Sequence, residues 1–221
     1  VDSLSDLPES VDWRRKGVLT RVKDQGECGS CWAFATTATV ESFLAISTGR
    51  VRPLSEQQLV SCVSNPHHCG GAGGCDGSVP ELAFSYIQHH GLTTEGAYPY
   101  LSSDERSHTC QANHTTSVVQ ISGYEKLPPN SYEAVMRALV NKGPLVIALA
   151  SDPWGDYESG VFDGCALHLS NIEIDHAVQL VGYGSDASWG DYFLIRNSWG
   201  PRWGEGGYIR MRRSSDIQCG E

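Results

Sequence analysis

The stretch QGECGSCWAF, residues 25–34, decides how the chain is interpreted. It holds two cysteines three positions apart, Cys28 and Cys31, with only a glycine and a serine between them. Two such thiols can ligate a metal, cycle as a redox pair, or have separate functions. The surrounding sequence has to distinguish these three interpretations.

The segment after the second cysteine predicts a long buried helix. From Cys31 to Thr48 it carries no charge except Glu41, so the helix should be buried on most sides. Ser30 is expected to cap its start, and Gly49 to end it. A thiol in the first turn meets unpaired N–H groups and the positive end of the helix dipole, which stabilise a thiolate. Cys31 is therefore a candidate nucleophile if a histidine from elsewhere pairs with it.

The composition excludes several classes of partner. The 221 residues are 40% apolar, which suits one large domain or two modest ones that share a cleft. A formal net charge of −10 disfavours nucleic acid. No apolar run reaches the roughly 18 residues of a membrane span. We therefore expect neither nucleic acid nor membrane as a partner.

The cysteines favour an oxidising compartment. There are eight of them, and Asn113-His114-Thr115 is a glycosylation sequon with Asn113 as acceptor. The chain opens without a basic-then-apolar signal segment. We therefore expect the mature form of a secretory-pathway protein, found in a lysosome, a vacuole or outside the cell.

Helix signals dominate the first half of the chain and strand signals the second. Capping boxes at Ser55 and Ser78 predict a short helix through Leu59 and a longer one to His90. Strands and one further helix are predicted later in the chain, at 118–124, 145–150, 176–183, 192–197 and 208–213 for the strands and 131–141 for the helix. Helices followed by strands predict an α+β fold of two lobes, 1–112 and 113–221, with a groove between them.

One histidine stands apart from the rest. His176 opens an apolar run and so lies on a rigid strand, although a buried structural histidine is the alternative. Asn197 ends a later strand, and its amide oxygen can accept an imidazole N–H without adding charge. Trp199 could shield that hydrogen bond from water. Gln25 could join the backbone N–H of Cys31 in stabilising an oxyanion, the charge that develops in acyl transfer.

The metal and redox interpretations explain less of the chain. A zinc site would use Cys28, Cys31, Cys69, Cys75, His67 and His68, but the later cysteines lack the tight spacing of a zinc knuckle. A redox CxxC motif belongs on a small βαβ unit, which the surroundings do not predict.

Motifs along nearly the whole chain resemble those of the papain-family cysteine proteases, particularly the cathepsin L-like endopeptidases. The central motif fits that family's C-G-[SA]-C-[WY] signature, which a histidine and an asparagine follow downstream. The matching segments are Val11-Asp12-Trp13-Arg14, Val22-Lys23-Asp24-Gln25, residues 28–34, Leu54-Ser55-Glu56-Gln57, Tyr98-Pro99-Tyr100, Asp175-His176-Ala177-Val178, Asn197-Ser198-Trp199-Gly200 and Trp203-Gly204.

The resemblance implies roles for four residues of these segments. Cys31 would be the nucleophile, His176 the general base and then acid, Asn197 its orienter, and Gln25 an oxyanion donor. It also implies a papain-like fold with a mainly helical lobe and a β-barrel-like lobe. The implied disulfides are Cys28–Cys75, Cys62–Cys110 and Cys165–Cys219.

The implied ligands follow the same family. No metal and no cofactor is expected. Partners would be protein and peptide substrates, the chain's own propeptide, and cystatin-like or thiol-reactive inhibitors, with the protein itself a monomer. No insertion resembles the loops that block the cleft of exopeptidases, which favours an endopeptidase.

Matching motifs also suggest the substrate cleft. Gly77 and Ser78 would offer backbone hydrogen bonds to the substrate. Asp175 and Trp199 would lie near the reacting centre. The pocket for the second residue before the cut would be lined by Val79, Pro80, Ala148 and Ile174. Because these side chains are apolar, we expect a preference for Leu, Val or Phe.

Three departures from the family pattern affect these expectations. Cys69 is left without a partner, and it is expected to stay free unless it replaces Cys75 as the partner of Cys28. Ser78 stands where the family has a second glycine. The chain stops at Glu221, whereas family members continue and use that tail in the specificity pocket. The rival interpretation is a catalytically silent homologue with a storage or binding function.

Overall fold

The computed structural model describes residues 4–163 and 173–214. The α-helices of these residues are α1 (Cys31–Thr48), α2 (Glu56–Cys62), α3 (Pro80–His90) and α4 (Tyr132–Asn141). Their strands are β1 (Val11–Asp12), β2 (Leu145–Leu149), β3 (Val161–Phe162), β4 (His176–Asp186), β5 (Gly190–Arg196) and β6 (Tyr208–Arg212). The fold is α+β, as the sequence predicted.

Two separate hydrophobic cores define two lobes. The first lies among α1, α2 and α3 and is built around residues such as Trp32, Leu59 and Ile87. The second lies between α4 and the sheet and includes Leu139 and Ile195. Each core gathers apolar side chains whose burial from water stabilises its own lobe.

The division of the chain between the two lobes is not a single cut in the sequence. Val11 packs against the second core, and β1 pairs with β4. Val119 and Ile121 still pack against the first core, beyond the proposed boundary at residue 112. The division into 1–112 and 113–221 stays a prediction.

The sheet is organised around β4. Its strand order is β1-β4-β5-β6-β3, and β2 also pairs with β4. β1 and β2 pair with different parts of β4, whereas β5 lies along its other edge, with a bulge between Leu180 and Gly182. Only the β3–β6 pair is parallel among the described strands. The first residue of this central strand is His176.

Helix α1 has the bounds that the sequence predicts, but its start is stabilised differently. Gly49 ends the helix with a φ of 70°, and its N–H donates to the carbonyl of Ala45. The predicted side-chain cap by Ser30 is wrong, because its hydroxyl makes no capping hydrogen bond. That hydroxyl lies 2.8 Å from the hydroxyl of Tyr100 instead.

Two other local predictions are also wrong. Ser78 does not cap α3: Val79 is the N-cap residue, without a side-chain bond, and the hydroxyl of Ser78 is buried with no protein partner. The segment 118–124 is not a strand. Its backbone makes one isolated bridge, between Val119 and Leu92.

Disulfides join Cys28 to Cys75 and Cys62 to Cys110. These are the two implied pairings that fall within the described residues, whereas Cys165 and Cys219 lie outside them. Cys69 is unpaired and exposed.

The structure also bears on the glycosylation sequon and on the expected lack of a membrane span. Asn113 is exposed in the short 3₁₀ helix Ala112–His114. Among the described residues, no helix is long and apolar enough to cross a membrane. Cys31 begins helix α1 and His176 begins strand β4, so this helix and the sheet carry the candidate site.

Candidate active site

The loop before α1 is tightly fixed, which positions Cys31 as the first residue of the helix. The Cys28–Cys75 disulfide holds the loop, and the N–H of Gly29 donates to the carbonyl of Cys75 at 2.9 Å. A Cβ atom on Gly29 would lie 2.5 Å from that carbonyl oxygen, so only glycine fits. Trp32 adds a bond from its indole N–H to the carbonyl of Gly74, at 3.1 Å.

His176 and Asn197 form a buried hydrogen bond. The Nε2 atom of His176 lies 2.8 Å from Oδ1 of Asn197, and the two residues are 5% and 3% exposed. The same oxygen accepts the backbone N–H of Ser198 at 2.8 Å, which fixes the orientation of the amide. Because Oδ1 is an acceptor, Nε2 carries the proton and Nδ1 is left as the base of a neutral ring.

Tryptophan rings surround this imidazole. Trp199 stacks on His176 with ring centroids 5.0 Å apart, and Trp154 meets the ring at 6.0 Å and a steep angle. Trp154 is 1% exposed and also stacks on Trp203. The aromatic contacts restrict the ring, and the shielding of its hydrogen bond by Trp199 stays a prediction.

Residues from the two lobes meet at Cys31. Helix α1 packs against β4, and the backbone N–H groups of Ala177 and Trp32 act to lower the pKa of the Cys31 thiol. The thiol of Cys31 is thus influenced by Ala177, the residue that follows His176 in the sequence. The pairing of this thiol with the imidazole of His176 stays a prediction.

The electrostatics of the thiol differ from the expectation. Burial raises the pKa of the Cys31 thiol, and the N–H groups of Ala177 and Trp32 offset this only in part. Burial also lowers the pKa of His176, against the hydrogen bond to Asn197 and the charge of Asp175. A lowered thiol pKa was predicted from the helix and an imidazolium. For the thiol by itself the direction is the opposite, because the desolvation of a lone charge outweighs nearby N–H groups.

Asp175 is held close to this pair. Its Oδ1 atom accepts the backbone N–H of Ser151 at 2.8 Å and the Ser151 hydroxyl at 3.1 Å. Its negative charge raises the pKa of His176 and that of Cys31. Asp175 therefore favours the protonated form of both groups.

Gln25 links the segment before α1 to the segment after β5. Its Nε2 atom donates to the carbonyl of Cys28 at 2.9 Å, and its Oε1 atom accepts the hydroxyl of Ser198 at 2.6 Å. Its backbone N–H donates to the carbonyl of Ser198. The amide nitrogen has two hydrogens, so one N–H remains for an incoming oxygen. The contribution of Ser198 was missed, although it follows Asn197 directly in the sequence.

The expected substrate residues divide into two groups around the groove. Ala148 pairs with Ala177 in the sheet, and Ile174 is 52% exposed just before β4. Val79 and Pro80 begin α3 and are half-buried. These apolar side chains come from both lobes, and their arrangement around one pocket stays a prediction.

The backbone at Gly77 and Ser78 can accommodate a serine at position 78, where the family has a second glycine. Gly77 has a φ of 89°, a conformation that favours glycine. Ser78 is not among the non-glycine residues with positive φ. It therefore adopts the observed backbone without strain.

A buried charge cluster joins the segment before α1 to helices α1 and α2, and no prediction from the sequence included it. The Nζ atom of Lys23 lies 2.8 Å from Glu41 and 2.6 Å from Glu56, and all three side chains are at most 6% exposed. Burial raises the pKa of Glu56 to about 7. One signal was available: a single carboxylate in an otherwise uncharged buried helix needs a partner.

Within the described residues, no group of three or more His, Cys, Asp or Glu side chains could hold a metal ion. The zinc interpretation also fails on the cysteines themselves, because Cys28 and Cys75 are joined to each other.

Comparison with known proteins gives the family. The sequence matches the papain family of cysteine proteases over residues 7–221, and the chain belongs to that family. It is 44% identical over 99% of its length to the rice (Oryza sativa subsp. japonica) cysteine endopeptidase Rep1. It is 43% identical over its whole length to the thiol protease SEN102 of Hemerocallis.

Solved structures agree with the fold. The bromelain protease from Ananas comosus, in complex with the E64 inhibitor, has a TM-score of 0.83 at 40% identity, over 96% of this chain and 94% of that one. Digestive procathepsin L 3 of Tenebrio molitor has a TM-score of 0.85 at 40% identity, over 99% and 69% respectively. The fold is therefore papain-like.

The curated relatives are longer than this chain. The matched region spans 57% of the rice protein and 59% of the Hemerocallis protein. Their names describe those whole proteins.

Proposed function

We propose that this chain is a cysteine endopeptidase that hydrolyses peptide bonds through an acyl-enzyme on Cys31. The observation that carries the proposal is the buried 2.8 Å bond between His176 and Asn197, on a strand against which the helix of Cys31 packs. The bond leaves Nδ1 of His176 as the base, and the thiol is the nearby group able to supply a proton.

In the first half of the reaction, the thiol proton passes to Nδ1 of His176. The sulfur of Cys31 then attacks the carbonyl carbon of the substrate, and the C=O electron pair moves to the oxygen. When the oxyanion collapses, the C–N bond breaks and the leaving amine takes the proton from His176. The acyl group stays on the sulfur as a thioester.

The second half of the reaction releases the acyl group. His176, now neutral, takes a proton from water, whose oxygen attacks the thioester carbon. Collapse of this second oxyanion breaks the C–S bond and returns a proton to the sulfur. The products are a carboxylic acid and the free thiol, so atoms and charges balance.

The charges on Cys31 and His176 have to form together. Burial disfavours a lone thiolate and also a lone imidazolium. A thiolate beside an imidazolium has no net charge, and unit charges about 4 Å apart attract by roughly 4 kcal/mol near a protein surface. We therefore infer that the pair is ionised only as a unit, which makes His176 essential for the nucleophile.

The oxyanion would be stabilised by two N–H groups. One is the backbone N–H of Cys31 at the start of α1, and the other is the remaining Nε2–H of Gln25. Such donors act on charge that develops only during the reaction, so they lower the barrier more than they strengthen substrate binding.

The pocket residues support a preference for apolar substrates. Val79, Pro80, Ala148 and Ile174 present no charged group. Burying an apolar side chain among them is worth roughly 1.5–3 kcal/mol. We expect substrates with Leu, Val or Phe as the second residue before the cut to be preferred over those with Arg.

Processing and location are also proposals. Two disulfides are present in the described residues, which supports an oxidising compartment such as the secretory pathway, a vacuole or a lysosome. Tenebrio procathepsin L 3 is a pro-form, and the bromelain structure carries the E64 inhibitor. We therefore propose a propeptide and thiol-reactive inhibitors as ligands of the cleft.

Two cysteine variants test the activity. Cys31→Ser should abolish cleavage of fluorogenic dipeptides with Leu, Phe or Arg in the second position. Cys69→Ser makes the same chemical change at an exposed free thiol and should leave the rates unchanged. Full activity of Cys31→Ser would refute the proposal, and an inactive wild-type protein would favour the silent-homologue alternative. Faster cleavage with Arg than with Leu would refute the apolar pocket.

A further inference from the structure

The motif Tyr98-Pro99-Tyr100 has no role in the chemistry described so far. The hydroxyl of Tyr100 nevertheless reaches the segment that carries the nucleophile. It lies 2.8 Å from the backbone carbonyl of Gln25 and 2.8 Å from the hydroxyl of Ser30. These two residues are the oxyanion candidate and the residue immediately before Cys31.

The directions of these two hydrogen bonds follow from their chemistry. A carbonyl oxygen can only accept, so Tyr100 uses its single proton toward Gln25. The hydroxyl of Ser30 must then donate to the oxygen of Tyr100. The hydroxyl of Ser30 is thereby directed toward a residue seventy positions further along the chain, and its oxygen accepts no N–H of the helix that it precedes.

Packing holds the Tyr100 ring and the loop in place. The ring meets Phe34 of α1 edge to face, with centroids 4.9 Å apart. Gly26 follows Gln25 with a φ of 62°, and a Cβ atom there would lie 2.9 Å from the Cβ of Ser103. The loop therefore rests directly on the segment that contains Tyr100, and a shift of either one would move the other.

We propose that Tyr100 is a positioning residue of the oxyanion site. Through one hydroxyl it fixes the backbone of Gln25 relative to Ser30, and so fixes the distance between the amide of Gln25 and the N–H of Cys31. This inference rests on the proposed function, because it concerns the geometry in which those two donors share one oxygen.

The hydroxyl keeps its proton over any working range of pH. Burial, as the largest cause, raises the pKa of Tyr100 to about 12. The donor to Gln25 is therefore present in acid and at neutrality alike, and its effect should not vary with pH.

Tyr100→Phe removes this hydroxyl and keeps the ring on Phe34. Tyr98→Phe is a matched control, since its buried hydroxyl also makes two bonds, with Thr109 at 3.4 Å and Gln111 at 3.0 Å. Removing an oxyanion donor outright costs about 10²–10³ in kcat. Displacing the donors should cost less, and we expect roughly a tenfold loss in kcat for Tyr100→Phe, with KM unchanged and with no such loss for Tyr98→Phe.

Two inhibitors separate positioning from general damage. A peptide aldehyde adds to the thiol and forms a tetrahedral adduct whose oxygen needs the oxyanion donors. Iodoacetamide alkylates the thiol without forming an oxyanion. Tyr100→Phe should weaken aldehyde binding by roughly tenfold and leave the alkylation rate of Cys31 unchanged. Ser30→Ala removes the hydroxyl that donates to Tyr100 but keeps the bond from Tyr100 to Gln25. It should show the same pattern to a smaller extent.

Different results would refute the positioning role of Tyr100 and the proposed function. Equal aldehyde affinity in wild type and Tyr100→Phe would overturn the inference. Equal losses in Tyr98→Phe and Tyr100→Phe would also overturn it, because they would reflect lost stability. If neither reagent modifies Cys31 in the wild type, the proposed function itself has failed, and the positioning role fails with it.

Discussion

Replacing Asn197 by Ala tests the link between His176 and the thiol. The change removes the acceptor that lies 2.8 Å from Nε2 of His176. Both residues are almost fully buried, so the ring N–H would be left with neither a protein partner nor free access to water. A buried donor without a partner costs about 1–3 kcal/mol, which corresponds to about a 5- to 150-fold effect on a rate. We expect kcat/KM to fall within that range.

The pH dependence of kcat/KM shows in which direction each substitution shifts the pKa of His176. The hydrogen bond to Asn197 raises the pKa of His176, so its loss should lower that pKa. The basic limb of the kcat/KM profile, where the imidazolium loses its proton, should then move to lower pH. Asn197→Asp keeps an acceptor oxygen and adds a negative charge, so the basic limb should move to higher pH.

The assay is hydrolysis of a fluorogenic dipeptide from acid to alkaline pH, for wild type and both variants, with thermal unfolding measured in parallel. The backbone N–H of Ser198 also loses its acceptor in Asn197→Ala, so a modest loss of stability is expected. Shifts in the same direction for both variants, or a rate loss with no shift in either, would refute the reasoning.

Three further predictions concern the surroundings of the site. Gln25→Ala removes a proposed oxyanion donor, so kcat should fall about 10²–10³-fold with little change in KM, and an unchanged kcat would exclude it from the mechanism. Lys23→Met leaves two buried carboxylates without their cation, so the free energy of unfolding should fall by about 3–5 kcal/mol; urea unfolding measures this, and wild-type stability would contradict it. Joint replacement of Cys62 and Cys110 by Ser opens a link between residues 48 positions apart and should cost about 2–5 kcal/mol, whereas an unchanged urea midpoint would indicate that the bond contributes nothing.

Local signals in the sequence were sufficient for helix α1 and for strand β4. The bounds of α1 follow from an apolar run that a glycine closes, and both features act within a few residues. The apolar run that begins at His176 likewise predicted β4, because a central strand is buried on both sides. The strand at 118–124 failed for a different reason: an alternating pattern shows which side chains can be buried, but not whether a neighbouring strand is available to pair with.

Errors arose where a distant residue competes for a local group. The hydroxyl of Ser30 has the right position for a cap, yet Tyr100 engages it. Lysine is usually exposed to solvent, yet Lys23 is buried between two carboxylates from α1 and α2. The proximity of Cys31 and Ala177 needed the packing of α1 against β4. From the sequence, the nature of Cys31 and His176 suggested that they act together, but not which surfaces of the two lobes meet.

The most direct test of the account is a competition between two thiols of the same molecule. Cys31 is partly buried and Cys69 is exposed, and both are free. Limiting iodoacetamide at about pH 6, followed by peptide mass analysis, reports which thiol reacts first. If His176 holds Cys31 as a thiolate, Cys31 should be labelled first despite its burial, and His176→Ala should reverse the order. Labelling of Cys69 first in the wild type, with Cys31 unmodified, would contradict the account.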